Sequence, residues 1–481
     1  MDRISRKNSG DRERLDTQRK ALEINLDPRR YGTFAEIGAG QEVVRWFFRV
    51  GGASGTISKS ISAYDMSVSD AIYGKSDRYV SRARLESMLN YEQKLNIERL
   101  NDSRGDTTAF FTFANTVAAR SYKGTTECHG WMGVKFQAHP HDQDSQIILH
   151  VRLLDKENGL QQEAIGIVGV NLLYGAFFYH YEPEVLLESL LDGLASDRIE
   201  VDMIEFSGIE FRHVDNRIMS LRLVELGLSD AAMFSPSGAV LQPSEVLHKK
   251  PVIVERGSFR PITYVNVDML RCARERFLQE PASNGEEPVE LMEITMRNLK
   301  ASGDVDLRDF LARADMLAAC GMTVLISDYF EFYRLGAYLS QFTKKRVGLV
   351  MGVPTLIDLF DVTYYADLEG GILESFGRLF KNDHKLYIYP LKKPDGSLVT
   401  VANLDLPPEL KKLYSFLVDA KCIEQLENYN EKYLHIFSRD ALTKIQKGDP
   451  AWEEMVPPVV AEIIKKRGLL GYRSASPAMQ G

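Results

Sequence analysis

The chain has 481 residues, of which 44% are hydrophobic and 26% charged, a composition typical of globular proteins with two or three domains. Its formal net charge of −8 argues against a general nucleic-acid binder, because such proteins need a basic surface that displaces counterions. The four cysteines lie far apart without a CxxC pair, which argues against a disulfide scaffold and favours a reducing compartment.

The first 24 residues are polar and charged and lack an apolar core, which predicts a flexible tail rather than a secretory leader. The longest apolar run, residues 164–179, is shorter than the ~20 residues that a bilayer needs, and it contains Asn171. We therefore expect this run to be a buried core segment, and we expect a cytoplasmic protein without a membrane partner.

Glycines flank a short helical stretch, residues 40–50, near the N-terminus. Gly38 and Gly40 precede it, and Gly51 and Gly52 follow it. A glycine-rich turn at the start of a helix can hold an anion on its backbone amides. Alternatively, the glycines serve tight turns and helix packing. The spacing is not GxGxxG and no clear strand precedes it, so the dinucleotide-binding fingerprint is not met.

An amphipathic helix is predicted at residues 81–100. Three strand-like runs follow at 108–116, 130–140 and 145–155, separated by polar turns, and they predict an antiparallel meander. Four possible metal ligands lie in or beside these runs: Cys128, His129, His139 and His141. Thiolate and imidazole ligands suit zinc, but the spacing matches no standard zinc pattern, so chance placement of histidines on strands is the alternative.

From about residue 160 the pattern alternates strands with helices, which indicates an α/β domain with a largely parallel, mixed sheet and flanking helices. We predict a tail at 1–24, a smaller α+β domain at 25–160 that contains the meander, the α/β domain at 161–404, a helical segment at 405–470 and a second tail at 471–481.

The stretch from Met322 to Gly352 is the clearest single unit of this pattern. An apolar strand at 322–327 is followed by Asp328 at a helix N-cap position, a helix to about residue 342, and a second apolar strand that ends at Gly352. This is the size of one βαβ unit with a right-handed crossover. Just upstream, residues 289–300 are predicted to form a helix.

Open α/β sheets bind ligands in the crevice beyond the carboxyl ends of their strands, and this rule selects the candidate site. The predicted acid–base residues are Asp215 and Asp328, and the predicted ligand-binding residues are Gly208, Asn216, Arg217, Arg256, Arg260, Ser327, Gly370 and Gly371. Arginines there can hold a carboxylate or phosphate, and the aspartates can hold Mg²⁺ through a ligand's phosphates. The alternative is that both aspartates are only helix caps.

Two segments, residues 26–66 and 349–383, resemble a family of bacterial proteins, and the similarity extends over nearly the whole chain between the tails. Labels given to members include nicotinate-nucleotide or nicotinamide-mononucleotide adenylyltransferase, which implies an early (H/T)xGH motif that holds phosphates. The nearest match, Thr126 to His129, lacks the glycine. Another label, TonB-dependent receptor, implies a signal peptide and a long series of alternating strands, which the sequence does not show.

These observations favour a cytoplasmic enzyme that acts on a nucleotide or another phosphorylated or anionic small metabolite, with the reaction type open. A non-catalytic scaffold or regulatory protein is the alternative, because no P-loop, GxSxG, HExxH or CxxC motif occurs. An activity like that of the nicotinamide-nucleotide adenylyltransferases is a third possibility. Homo-oligomerisation is expected from the prevalence of symmetric assemblies.

Overall fold

The computed structural model describes residues 13–120, 128–301 and 303–473. The chain divides into two compact units, Met1–Ser229 and Asp230–Gly481, and each contains a mixed sheet with flanking helices. The predicted α/β class is therefore confirmed. The boundary lies near residue 230 instead of 160, because the strand at 199–208 pairs with the one at 145–153 and so extends the first sheet.

The first unit is built on a six-stranded sheet. Its elements are α1 (Thr17–Leu26), β1 (Arg30–Gly38), α2 (Val43–Arg49), β2 (Ile57–Ile61), α3 (Met66–Tyr73), α4 (Arg82–Arg104), β3 (Ala109–Ala118), β4 (His129–Phe136), β5 (Ser145–Leu153), α5 (Asn158–Phe178), α6 (Pro183–Ser189), β6 (Ile199–Gly208) and α7 (Asn216–Glu225). The strand order is β2-β1-β3-β4-β5-β6. The antiparallel meander β3-β4-β5 is as predicted, and β1 adds to it in parallel.

Helix α5 is the apolar centre of the first unit. Every residue from Ala164 to Phe177 is buried, so the longest apolar run of the chain is a core segment as expected. Helix α1 packs against it, and this shows that the predicted tail is folded from Thr17 onward. Among the described residues, no helix combines the length and the apolar character that a membrane crossing requires.

A buried ion pair joins α1 to the rest of the first unit. Lys20 is 0% exposed, and its Nζ donates to Oδ2 of Asp192 at 2.7 Å and to Oδ1 of Asn171 at 2.8 Å. The sequence pattern did not reveal this anchor, because a lysine in a charged stretch is usually on the surface.

The second unit is built on an eight-stranded sheet and a short hairpin. Its elements are β7 (Ala231–Phe234), β8 (Val240–Leu241), α8 (Pro243–Leu247), β9 (Val252–Arg256), α9 (Tyr264–Leu278), β10 (Val289–Thr295), α10 (Met296–Leu299), α11 (Leu307–Ala319), β11 (Thr323–Ser327), α12 (Phe332–Phe342), β12 (Val347–Gly352), α13 (Val353–Leu359), α14 (Gly371–Leu379), β13 (His384–Tyr389), β14 (Leu391–Lys392), β15 (Leu398–Val399), α15 (Lys411–Asp419), β16 (Ile423–Gln425), α16 (Ser438–Lys447) and α17 (Pro458–Arg467).

The strand order of this larger sheet is β16-β13-β12-β9-β10-β11-β7-β8. The six strands from β16 to β11 are parallel to one another, and β7 runs antiparallel at one side. Numbered along the chain, the parallel strands follow the order 3-2-1-4-5-6 of doubly wound α/β folds. The order reverses at β9, since β10 and β11 lie on one side of it and β12, β13 and β16 on the other.

The predicted unit at 322–352 produces this reversal. Strands β11 and β12 form where expected and are parallel, but they do not pair with each other. Helix α12 instead carries the chain from β11 past β10 and β9, and β12 then pairs with β9. The segment is therefore the crossover between the two halves of the sheet instead of a simple βαβ unit.

Two local predictions in the second unit are wrong. Residues 289–295 form a strand instead of a helix, because parallel partners lie on both sides. Helix α12 starts at Phe332 with Glu331 as its N-cap, so Asp328 caps no helix, and its N–H instead donates to the carbonyl of Asp230 at 2.9 Å. The segment predicted as helical at 405–470 contains α15, α16 and α17, and it also contributes one short strand, β16, to the sheet.

Replacing Lys20 by alanine should destabilise the protein by about 3–5 kcal/mol, because it removes the cation that faces a buried carboxylate. Lys94, whose side chain is 73% exposed in an i,i+4 pair with Glu98, is the matched control, and Lys94→Ala should cost less than about 0.5 kcal/mol. Urea unfolding of the full chain measures both. Equal losses in the two variants would contradict the anchoring role of Lys20.

Candidate functional site

A cavity of about 360 Å³ lies at the carboxyl ends of β9, β10, β11 and β12, where the strand order reverses. Its lining is mixed, with arginine, carboxylate, amide and aromatic side chains. The lining residues are Arg256, Gly257, Thr295, Arg297, Asn298, Phe330, Glu331, Phe332, Thr355, Asp358, Leu359, Tyr364 and Tyr365. The volume and the mixture of apolar walls with a few polar groups are typical of small-molecule sites.

A buried polar cluster forms the floor of the cavity. Glu293 in β10 is 0% exposed, and both its oxygens accept hydrogen bonds from Arg256 at the end of β9, at 2.7 and 2.9 Å. The hydroxyl of Ser327, at the end of β11, donates to the same carboxylate at 2.6 Å. Arg256 also donates to the carbonyls of Tyr329 and Phe330, at 3.0 and 2.6 Å. These bonds hold three adjacent strands and the loop after β11 in one arrangement.

An exposed arginine and two aromatic rings form one wall. The Arg297 guanidinium lies 4.1 Å from the ring centroid of Phe330, a cation–π contact. Within the described part of the chain, no carboxylate pairs with Arg297 and no acceptor takes a hydrogen bond from its guanidinium. Phe330 is 37% exposed, and its centroid lies 5.2 Å from that of Tyr364. The wall thus offers a flat surface with unused N–H donors at its edge.

Two carboxylates line other parts of the cavity. Oε2 of Glu331 is buried and accepts no hydrogen bond from the described residues, and Nη1 of Arg334 is 3.8 Å away. Asp358, in α13, is exposed. The charges of the cavity therefore differ from strand to strand. The positively charged Arg297 follows β10, whereas the negatively charged Glu331 and Asp358 follow β11 and β12.

Of the predicted site residues in the second unit, Arg256 and Ser327 belong to this cluster, but both already bind Glu293. Arg260 pairs with Oδ1 of Asp309 at 2.6 Å. Asp328 is exposed one residue beyond β11. Gly370 is the N-cap of α14, and its N–H donates to Oε2 of Glu374 at 2.9 Å, while Gly371 is the first residue of the helix and has a φ of +53°.

The remaining predicted residues belong to the first unit, so the predicted set divides between two separate sheets. Asp215 caps α7 and holds the Arg217 guanidinium at 2.7 and 3.0 Å, and Arg217 holds the pKa of this half-buried carboxyl below its usual value despite burial. The Asn216 amide bonds to the N–H and C=O of Phe206 in β6. Gly208 ends β6 with a φ of +99°. Asp215 is thus a helix N-cap, the alternative that the sequence left open for it.

The residues that the sequence pattern missed are Arg297, Phe330, Glu331, Asp358 and Tyr364. Arg297 was not selected because residues 289–300 were predicted to form a helix, which placed it away from any strand end. The run VELMEIT could have been recognised as a buried strand from its length and apolar content. The rule that ligands bind beyond the carboxyl ends of strands would then have selected Arg297.

The glycine-rich turn of the first unit does not offer its helix amides to an external anion. The carboxylate of Glu36, in β1, accepts from the N–H groups of Val43 and Val44 at 3.1 and 3.2 Å, and from Asn115 at 3.1 Å. Burial raises the pKa of Glu36 to about 8. A Cβ on Gly40 would lie 1.9 Å from Oδ1 of Asn115, so this glycine serves close packing.

The predicted metal ligands do not converge. His139 bonds to Asp142 at 3.0 Å, and His141 bonds to Asp106 at 2.9 Å. His129 instead lies against His150 of β5. Across residues 13–120, 128–301 and 303–473, no three His, Cys, Asp or Glu side chains gather as a metal site. All four cysteines lie within these ranges, and no disulfide joins any two of them.

His129 instead begins a buried chain of titratable groups. Its Nδ1 lies 2.9 Å from Nε2 of His150, whose Nδ1 lies 2.6 Å from Oδ1 of Asp202. The three residues are 8%, 1% and 2% exposed, and a register shift between β5 and β6 leaves Asp202 without a directly paired residue, as in a bulge. Burial, followed by the neighbouring His150 and Arg78, lowers the pKa of His129 to about 4.

A second buried carboxyl lies beneath the cavity floor. Glu255 precedes Arg256 in β9, so its side chain faces the opposite side of the sheet. It is 1% exposed, its Oε1 accepts from Nδ2 of Asn266 at 2.7 Å, and its Oε2 has no hydrogen-bond partner among the described residues. Burial raises the pKa of Glu255 to about 8.

The raised pKa of Glu255 predicts that stability falls as pH rises. Between pH 4.5 and about 8 the folded protein keeps a proton that the unfolded chain releases, so the free energy of unfolding should decrease through this window. The contribution of this group is about 1.4 kcal/mol per pH unit. Urea unfolding across the window should show a shallower slope for Glu255→Gln than for the wild type, and identical slopes would contradict the assignment.

The lowered pKa of His129 predicts the opposite dependence at lower pH. Between about pH 4 and 6.5 the unfolded chain binds a proton that the folded protein does not, so the contribution of His129 to stability is full above pH 6.5 and is lost as the pH falls towards 4. His129→Gln should remove this part of the acid destabilisation, about 1.4 kcal/mol per pH unit. His139→Gln, at a side chain 78% exposed, is the control and should leave the slope unchanged.

No family model matches the chain, and no curated protein matches it. Solved structures that overlap with it include the competence/damage inducible protein CihA from Agrobacterium tumefaciens, at 17% identity over 33% of this chain and 94% of that chain, with a TM-score of 0.25. The competence damage-inducible protein A from Klebsiella pneumoniae overlaps at 10% identity over 33% of this chain and 96% of that one, with a TM-score of 0.25. A CinA superfamily protein from Enterobacter cloacae overlaps at 13% identity over 37% and 98%, with a TM-score of 0.24. These overlaps cover about a third of the chain and indicate no activity.

Proposed function

We propose that the second unit binds an anionic small metabolite of the nucleotide class in the cavity at the carboxyl ends of β9 to β12. The observation that carries this proposal is the position of the cavity at the strand-order reversal, where doubly wound sheets bind their ligands. Where the strand order reverses, the loops on the two sides of the reversal diverge, and the gap between them is the crevice. The crevice therefore follows from the strand order and needs no distortion of the sheet.

The wall supports a ligand with a planar ring. Phe330 and Tyr364 present aromatic surface, and the guanidinium on Phe330 extends that surface with a second planar group. Stacking of a nucleobase on such groups is worth about 1–3 kcal/mol per base. The unpaired Arg297 supplies the positive charge that a phosphate requires, and its planar fork matches phosphate oxygens.

The size and the first βα loop favour a mononucleotide over a dinucleotide. A volume of about 360 Å³ is near the lower end of the range for small-molecule sites. The loop after β9, residues 257–263, carries no glycine-rich phosphate-binding pattern, and the first turn of α9 is closed by a capping box of Thr263 and Asn266. A pyrophosphate therefore lacks the amides that it uses in dinucleotide-binding folds.

Acid–base groups are available at the same edge of the sheet. Glu331 and Asp358 line the cavity, and the predicted Asp328 is exposed beyond the end of β11. Either lining carboxylate can hold Mg²⁺ together with the phosphates of the ligand, a role that the sequence suggested for Asp215 and Asp328. The predicted base Asp215 belongs to the first unit and already binds Arg217. Conversion of the bound nucleotide would make the second unit an enzyme, and binding without conversion would make it the regulatory alternative.

Calorimetric titration of the full chain with 5′-AMP tests this proposal. Phe330→Ala should weaken binding by about tenfold, because it removes the stacking support of the wall. Phe416→Ala, at an exposed phenylalanine on α15, is the matched control and should leave the affinity unchanged. Absence of binding to the wild type, or equal affinity in the wild type and Phe330→Ala, would contradict the proposal.

A further inference from the structure

Arg297 is positioned to select one kind of nucleotide, and this inference rests on the proposed function of the same cavity. In the parallel order 3-2-1-4-5-6, β10 is the second strand, and Arg297 lies two residues beyond its end. In doubly wound sheets this region contacts the ribose. An acidic residue there accepts from a free 2′-hydroxyl, whereas an arginine nearby accommodates a 2′-phosphate.

The acidic residue of the second strand is not available to a ribose. Glu293 is 0% exposed, and its oxygens accept from Arg256 and from Ser327. A ribose hydroxyl would have to displace charge-assisted hydrogen bonds to reach it. Arg297 is therefore the first charged side chain that a ligand meets at the end of β10.

The position of the guanidinium over Phe330 also favours the 2′ position. The Cζ of Arg297 lies over the Phe330 ring, 4.1 Å from its centroid, so the side of the guanidinium away from that ring is the face left open to a base. In a nucleotide the 2′ carbon is bonded to the carbon that carries the base, whereas the 5′ carbon lies further along the ribose. A base stacked on the open face therefore brings the 2′ substituent next to the N–H edge of Arg297.

The other charges of the cavity agree with this placement. Glu331 and Asp358 lie after β11 and β12, and they repel a phosphate at those positions. They can instead accept from ribose hydroxyls or from N–H groups of the base. In the absence of a bound cation, a phosphate is thus stabilised best at the end of β10.

We propose that Arg297 makes the second unit selective for nucleotides that carry a phosphate on the ribose 2′ position, with the base stacked on its guanidinium. The ligand class is a purine mononucleotide with phosphates at both the 2′ and the 5′ position.

Calorimetric titration of the full chain at neutral pH with 5′-AMP, 2′,5′-ADP and 3′,5′-ADP tests the selectivity. The wild type should bind 2′,5′-ADP about tenfold or more tightly than 5′-AMP and more tightly than 3′,5′-ADP, because a charged hydrogen-bonded pair forms only with the 2′-phosphate. Arg297→Ala should bring 2′,5′-ADP down to the affinity of 5′-AMP. Arg297→Lys should restore only part of the preference, since it keeps the charge without the planar fork.

Arg439→Ala is the matched control, because Arg439 is 82% exposed and also lies over a phenylalanine ring, at 5.3 Å. It should keep the wild-type preference. Equal affinities of the wild type for 5′-AMP and 2′,5′-ADP, or a preference that survives in Arg297→Ala, would overturn the selectivity while the proposed function stands. Absence of binding by all three nucleotides would overturn both.

Discussion

One buried carboxylate holds the carboxyl edge of the larger sheet together. Glu293 accepts from Arg256 on one neighbouring strand and from Ser327 on the other, and Arg256 in turn holds the loop after β11 through two backbone carbonyls. A buried charge is costly unless it is paired and fully hydrogen-bonded, so these partners cannot separate without a large penalty. These bonds therefore favour one arrangement of the three strand ends and of the loop after β11, which together form the floor of the cavity.

The same arrangement explains why the predicted site residues and the cavity lining overlap so little. Arg256 and Ser327 are at the strand ends where a ligand would bind, but their hydrogen-bonding capacity is used within the protein. Arg297, in the short helix α10, and Phe330, in the loop after β11, lie beyond the strand ends, and their polar and aromatic groups remain accessible. The charged residues in the last positions of the strands thus bind one another and stabilise the site. The residues that follow the strands are the ones that a ligand can contact.

Buried polar groups have a comparable role in the first unit. The carboxylate of Glu36 satisfies the first amides of α2, Lys20 anchors α1 through Asp192, and His129 and His150 link adjacent strands towards Asp202. In the sequence, Lys20 lies in a charged stretch typical of the surface, Glu36 lies beside the glycine-rich turn, and His129 follows Cys128. In the folded unit their partners are other groups of the protein, so the groups considered for an anion or a metal in this unit make contacts within the protein instead.

Hydrophobic patterning along the sequence by itself determined the α/β class, the meander, the buried run of α5 and the parallel strands on both sides of α12, because burial of an apolar face depends on local periodicity. Tertiary structure alone decided that β6 joins the first sheet, that residues 289–295 are a strand, and that the strand order reverses at β9. Strand pairing depends on partners that are distant in sequence, and a short apolar run is compatible with either a strand or a helix until its neighbours are in place. The location of Arg297 beyond a strand end, and hence the candidate site, follows from that pairing and not from any local pattern.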